Sequence, residues 1–432
     1  MIKDLCAFLD ASPVNFLAVA ETARRLEAAG FSELRMDASW AGSIRPGARH
    51  YVVKNGSAIF AFIVGNAPMA QSAFHIISSH CDSPGFRVKP NAEILCDGGI
   101  VKLNTEVYGG PILYTWFDRP LSLAGRVILR SDNPLRPRSR LMRIDAPILT
   151  IPHLAIHFNR AVNEGNPLSR QKDMLPVLGH IAPGESPRGL LRRIVADACS
   201  VPEDEILDFD LSLYDTTPAN IAGLNAEFIS SGRLDDLSMV HASLSALLAC
   251  ADTPSDATRV IAVFDNEETG SGTKQGAGSP MLDFILRRIA GSMGASEEDY
   301  FRALARSFMI SADNAHGVHP NYPEKHDPTN HPTLGGGPCI KINANCKYMT
   351  DADSAAVFRS ICEQAGVPCQ DFVNHSDVAG GSTLGNILTS QIPLPGVDMG
   401  APLWAMHSVR ETASCEDHFS CIRAFSCFFS LQ

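Results

Sequence analysis

Two adjacent carboxylates, Glu267 and Glu268, end the segment Asp265-Asn266-Glu267-Glu268, directly after the apolar run Arg259-Val-Ile-Ala-Val-Phe264. Neighbouring acids at the end of a buried strand repel each other and resist desolvation unless a cation sits between them. Ligand-type residues recur in the same setting elsewhere. Ser79-His80-Cys81-Asp82 follows Phe74-His-Ile-Ile77, and Ser311-Ala-Asp313-Asn-Ala-His316 follows Phe308-Met-Ile310. Met406-His407-Ser408 lies near the C-terminus, and Arg233-Leu-Asp235-Asp236-Leu adds two more acids. His80, Asp235, Glu268, Asp313 and His407 mix imidazole with carboxylate in a way that suits two zinc ions, at about three ligands each with one carboxylate shared. Manganese or cobalt would serve as substitutes. Asp82, two residues beyond His80, can accept the second imidazole N–H and fix its tautomer. Glu267, next to a ligand but on the other side of an extended chain, is free to act as a general base toward water acidified by the ions.

Each piece alone has a plainer reading. Asp235-Asp236 before a helix reads as an N-cap facing the helix dipole. A Glu-Glu pair reads as a solvated helix start, and a histidine at a strand end as a structural one. The recurrence of such groups at strand ends and loop–helix junctions is what points to metal-assisted hydrolysis.

The elements that must position these groups alternate between strand and helix. Ser12-Pro13 reads as a helix start, with Ser as cap and Pro in the first turn, running to Gly30. Tyr51 to Val64 reads as paired strands, and Phe74 to Ser79 as a buried one. Helices are expected over Leu237–Cys250, Met281–Met293, Asp351–Ala365 and Glu416–Phe429, with a capping-box start at Ser296-Glu-Glu-Asp299. Strands are expected at Arg259–Phe264, Ser307–Ile310 and Cys339–Asn343. This order implies an α/β fold, a mostly parallel sheet flanked by helices, with its site outside the carboxyl ends of the strands. Between residues 91 and 224 the texture changes to glycine pairs, prolines and short strand-like runs such as Arg126-Val-Ile-Leu129. That stretch is expected to be an inserted, mainly β domain within a discontinuous catalytic domain, 1–90 and 225–432.

The 432-residue chain is too long for one ordinary core, and its 45% hydrophobic and 19% charged residues are normal for a globular protein. A net charge of -11 argues against a nucleic-acid partner. The cluster Arg136, Arg138, Arg140 and Arg143 reads as a solvated loop or an intersubunit contact. No apolar run reaches membrane-spanning length and the N-terminus has no secretory pattern. The 12 cysteines show no Cys-x-x-Cys pair. They read as reduced thiols of a cytoplasmic protein.

The longer motifs are specific. Ser79-His80-Cys-Asp82-Ser-Pro-Gly-Phe-Arg-Val-Lys-Pro90, Ile151-Pro-His153-Leu-Ala-Ile-His157, Arg233-Leu-Asp235 and Asp265-Asn-Glu267-Glu268 are joined by the long run from Ser311 through His319 to Tyr322. Gly337-Pro-Cys-Ile-Lys341 and Ala405-Met-His407-Ser-Val-Arg-Glu411 complete the set. Through them the chain resembles the M18 metallopeptidases, the aspartyl aminopeptidase family, over essentially its whole length. The resemblance implies a phosphorylase/hydrolase-type dizinc catalytic domain and an insert used for oligomerisation. It also implies a tetrahedral dodecamer built from dimers, acting on peptides with a free N-terminus and preferring Asp or Glu. Carried over, Asp235 bridges the zincs, His80 and Asp313 complete one, Glu268 and His407 the other, and Glu267 is the base. Lys341 matches the lysine that meets an acidic first side chain. His157 matches a residue reaching a neighbouring subunit's site, with His153 as the alternative. His319, Tyr322, Gly381 and Met406 belong to the substrate cleft. Where the family pattern reads Arg-Leu-Asp-Asn this chain has Asp236, an additional negative charge. The competing expectations are a related zinc hydrolase of other specificity, such as a deacetylase or carboxypeptidase, and a non-catalytic cage or cargo protein.

Overall fold

The structure is a computed structural model and describes residues 2–431. The chain forms two compact units: one of residues 1–82, 219–406 and 411–432, the other of 83–218 with 407–410.

The first unit is built on a nine-stranded sheet. Its centre is four consecutive parallel strands, in spatial order Thr258–Phe264, Phe74–His80, Phe308–Ala312 and Gly396–Gly400. Ala58–Ile63 and Arg49–Lys54 extend one side antiparallel. Cys339–Lys341 runs antiparallel to Gly396–Gly400 on the other. Side chains alternate across a strand, and both faces here are apolar. Ile59, Ala61 and Ile63 join a core beneath the helices Leu234–Ala249 and Cys415–Ser430. Phe60 and Phe62 join a second core beneath Met281–Ser292 and Glu297–Arg306. Strands buried on both faces read as continuous hydrophobic runs, which is why Thr258–Phe264 and Ala58–Ile63 stand out in the sequence. A separate five-stranded sheet in this unit includes Ala315–His316, Pro402–Trp404 and Glu411–Ser414.

The capping box at Ser296 is present: its side chain accepts from the Asp299 amide while Asp299 accepts in return. The expected helix start at Ser12-Pro13 is not. A first helix spans Ile2–Ala11, and the next runs Asn15–Ala28 with Val14 at its N-cap. Ser12 and Pro13 form the joint between them. The apolar face of the first helix, with Leu5, Phe8 and Leu9 fully buried, is what holds it in place. Its polar-looking start hid that in the sequence.

The second unit is a six-stranded sheet with antiparallel neighbours throughout, including Gly85–Leu95, Leu121–Leu129 and Ile206–Asp215. The helix Leu190–Cys199 packs Leu191 and Val195 into the same core as Leu123 and Val127. Among the described residues, no helix is long and apolar enough to cross a membrane.

Candidate metal centre

The parallel centre of the sheet brings distant residues together at one edge. His80 is the last residue of Phe74–His80, Asp313 follows Phe308–Ala312, and the Glu267–Thr269 turn follows Thr258–Phe264. Asp235 and Asp236 sit at the start of the helix Leu234–Ala249. One ligand atom each from His80, Asp235, Asp236 and Asp313 lies within 4.8 Å of the others, and all four residues are buried. His80, Glu267 and Glu268 form a second such group.

Local backbone choices aim these groups. Arg233 and Asn266, each just ahead of a pair of acids, have φ of 61°, in the left-handed region. That region costs a non-glycine residue about 1–2 kcal/mol, and asparagine tolerates it best. Asn266 is fixed there by its own side chain, whose Oδ1 accepts from Thr273 Oγ1 at 2.8 Å and Gln275 Nε2 at 2.7 Å. Arg233 is fixed by donating to the carbonyls of Ser12 and Leu9. The two aspartates stand in the first turn of the helix, where acids face its dipole, but the N-cap itself is Arg233, which makes no side-chain cap, and Asp236 accepts from the distant amides of His80 and Asn314. The expectation that Glu267 and Glu268 point to opposite sides also changes. The 3-10 turn, unlike an extended strand end, leaves both within reach of His80.

Hydrogen bonds spread around the centre hold it rigidly. His80 Nε2 lies 3.5 Å from Asp235 Oδ1, and its Nδ1 lies 3.4 Å from Asp82 Oδ1 and 3.1 Å from the Asp82 carbonyl. Asp82 also accepts the Glu267 and Glu268 amides, at 3.1 and 3.2 Å, one on each carboxylate oxygen. Asp236, fully buried, accepts the His80 amide at 3.1 Å and the Asn314 amide at 3.3 Å. The extra acid thus ties the segments bearing His80 and Asp313 to the helix start. Glu411 accepts the Asp235 amide at 3.1 Å. Gly400 allows the close approach behind Asp313: a Cβ there would lie 1.9 Å from the Asp313 carbonyl oxygen.

The electrostatics are those of a site made for cations. Burial pushes the carboxyls of Asp236 and Glu268 well above the ordinary range and raises Asp313. Glu267 is pushed up to about 8, by burial first and then by Asp313, Asp235 and Asp82, against the opposing pull of His80. Burial works against a charged His80, but hydrogen bonds to Asp235 and Asp82 outweigh it and raise its pKa well above the usual value. Lys341, only 4% exposed, lies 3.4 Å from Asp313. Six acids against one lysine and one imidazole are an excess that must either keep protons or be balanced by cations. The donor set, imidazole plus several carboxylates in a largely buried cluster, fits zinc.

The remaining expected residues fall as follows. His407 belongs to the second unit, where its Nδ1 faces the Gly110 carbonyl at 3.1 Å. His157, in the exposed turn Ile156–Phe158, also lies in the second unit. His319 packs against the exposed Tyr322 ring at 5.1 Å between centroids. Gly381 sits in an exposed loop, and Met406 packs on the core of the first unit. Sequence reasoning missed Glu411 as a supporting acceptor and Asp398, fully buried, which accepts from the Met349 amide and Thr383 Oγ1. Glu411 stood inside a quoted motif. Asp398 had no flanking signal, since Gly-Val-Asp-Met-Gly reads as an ordinary strand.

A family model described as aminopeptidase I zinc metalloprotease (M18) matches residues 8–429. The chain is 49% identical over 429 residues to a probable M18 family aminopeptidase 2 of Clostridium novyi, covering 99% of this chain and 98% of that protein. Among solved structures it is similar to Ape4 in its complex with Nbr1, with a TM-score of 0.94, 34% identity, and coverage of 99% of this chain and 85% of that one. It is also similar to the mApe1 dodecamer of S. cerevisiae, with a TM-score of 0.86, 26% identity, and coverage of 99% and 95%. With a metal-ligand cluster at the strand ends and this likeness across the whole length, the chain belongs to the M18 family of metallo-aminopeptidases.

Proposed function

We propose that the chain is a dizinc aminopeptidase that removes N-terminal Asp or Glu from peptides. The convergence of His80, Asp235, Asp236 and Asp313, with Glu267 and Glu268 beside His80, is the observation that carries this reading. In it Asp235 would be shared between two ions, His80 and Asp313 would help to hold one, and Glu268 and His407 the other. Bound zinc supplies Lewis acidity, polarising the scissile carbonyl and lowering the pKa of water. Glu267 takes the proton of the attacking water and delivers it to the leaving amine nitrogen. Its raised pKa suits an acid that must both accept and return a proton near neutral pH. Asp82, holding the amides of Glu267 and Glu268, keeps base and ligand in register. Lys341 pairs with the carboxylate of the first side chain. His319, Tyr322, Gly381 and Met406 line the path of the peptide.

The insert, residues 91–224, is proposed to build a dodecamer like that of the yeast relative, with His157 reaching a neighbouring subunit's site. Exposed Leu154, Ile156 and Phe158, at 56%, 52% and 80%, supply the apolar surface such assembly would cover. The location is proposed to be cytoplasmic. The deciding experiment is Glu267→Gln. It should keep its zinc by elemental analysis and lose turnover by about 10²–10⁴-fold. Near-normal turnover in a fully loaded variant would reject the base.

A further inference from the structure

Beside the Asp313 segment lies a cleft of about 260 Å³ in which, of the residues given roles above, His319 alone takes part. The chain passes from Asp313 into the short strand Ala315–His316, which pairs in parallel with Pro402–Trp404. A bridge between His326 and Asn374 closes the opposite side. Phe372, Leu403 and Trp404 give the cleft apolar walls. Its polar side chains are His316, His319, Lys325, His326 and His375, with the neutral amide of Asn374. Among the described residues that line it there is no carboxylate.

Backbone amides settle which imidazole nitrogens carry protons. His319 Nδ1 accepts the Asn321 amide and His375 Nδ1 accepts the Asp377 amide, both at 3.2 Å. His326 Nε2 accepts the His319 amide at 3.2 Å. A neutral imidazole that accepts on one nitrogen carries its proton on the other. His319 and His375 therefore present Nε2–H donors, and Lys325 adds an ammonium. A concave site with apolar walls, several N–H donors, one cation and no acid matches a carboxylate on a short apolar stem. Lys341, assigned to the first side chain, does not line it.

We propose that this cleft is a carboxylate subsite that seats an acidic group of the peptide beyond its first residue. That group is either the side chain of the second residue or the C-terminal carboxylate of a dipeptide. The inference rests on the aminopeptidase reading and on Lys341 serving the first side chain.

The test is steady-state kinetics of the zinc-loaded enzyme on matched pairs. One pair is Asp-Glu-Ala-amide and Asp-Gln-Ala-amide. The other is Asp-Ala with a free and an amidated C-terminus. The wild type should show a KM about tenfold lower for the acid in one pair, as expected for a charge-assisted pairing, and the pair that responds identifies the source. Lys325→Met and His375→Phe should erase that ratio, while Lys325→Arg should keep it. Equal KM values within both wild-type pairs would overturn the proposal. So would variants that change only the discrimination between Asp and Asn at the first position. If the wild type cleaves Leu-first but not Asp-first peptides, the Lys341 assignment fails. The same ratios are then read on Leu-first pairs.

Discussion

At the scale of single residues, Lys341 is the sharpest object of test. It is buried and 3.4 Å from Asp313, so it sits between two roles: recognising an acidic side chain and balancing a ligand's charge. Lys341→Met should lower kcat/KM for Asp-first peptides by about 10- to 100-fold while leaving Ala-first peptides within a few-fold, because a buried carboxylate would then lack its partner. A uniform loss across substrates, with weakened zinc binding, would show charge balance alone. The acids make a second prediction. Glu267 has an ordinary pKa of 4.5 and is pushed up to about 8 in the metal-free fold, mainly by burial. Between those values the metal-free fold holds a proton that the unfolded chain has released, so its stability falls as pH rises. Zinc favours the ionised form and removes that penalty. The gap in Tm between zinc-loaded and EDTA-treated protein should therefore widen from pH 5 to pH 8. A constant gap would mean that the acids do not ionise on loading.

At the scale of elements, the site depends on how closely strands approach. Gly400 ends the strand Gly396–Gly400, and its missing side chain leaves room for the Asp313 carbonyl. Gly400→Ala must push that segment aside, at a cost of about 1–3 kcal/mol. Zinc affinity and turnover should fall together, and calorimetric titration with zinc would measure the first. Unchanged affinity would mean Asp313 is not held from behind. The strands carrying the acids were legible because their ends break sharply from apolar to polar: Phe264 to Asp265, Ile310 to Ser311. The turn that brings Glu267 and Glu268 to one side was not legible. Its conformation depends on Asn266 bonding to Thr273 and Gln275, several residues on. Nor could periodicity show that Ile2–Ala11 is a helix, since its apolar face gains meaning only against a core made elsewhere in the chain.

At the scale of the molecule, the resemblance and the α/β alternation together gave the α/β architecture; the second unit comprises residues 83–218 with 407–410, where the change of texture had suggested 91–224. What the linear sequence could not show is that His407–Arg410, four residues far downstream, belong with that unit. Val409 joins its core and Arg410 donates to the Thr217 carbonyl, contacts with no signature in composition. Assembly is the prediction that belongs here. If the exposed Leu154, Ile156 and Phe158 are covered in an oligomer, Leu154→Ser with Phe158→Ser should shift sedimentation toward smaller species, with far-UV circular dichroism unchanged. Retention of the full-size particle would place the interface elsewhere.

The adjacency of Thr258–Phe264, Phe74–His80 and Phe308–Ala312 in the sheet has one more outcome. His80, Glu267, Glu268 and Asp313 become neighbours only once strands far apart in the chain, Phe74 with Thr258 and His75 with Phe308, have zipped together, and parallel pairing over such separations is slow. A chain still emerging from synthesis therefore lacks the assembled cluster: it arises only when the centre of the fold is finished.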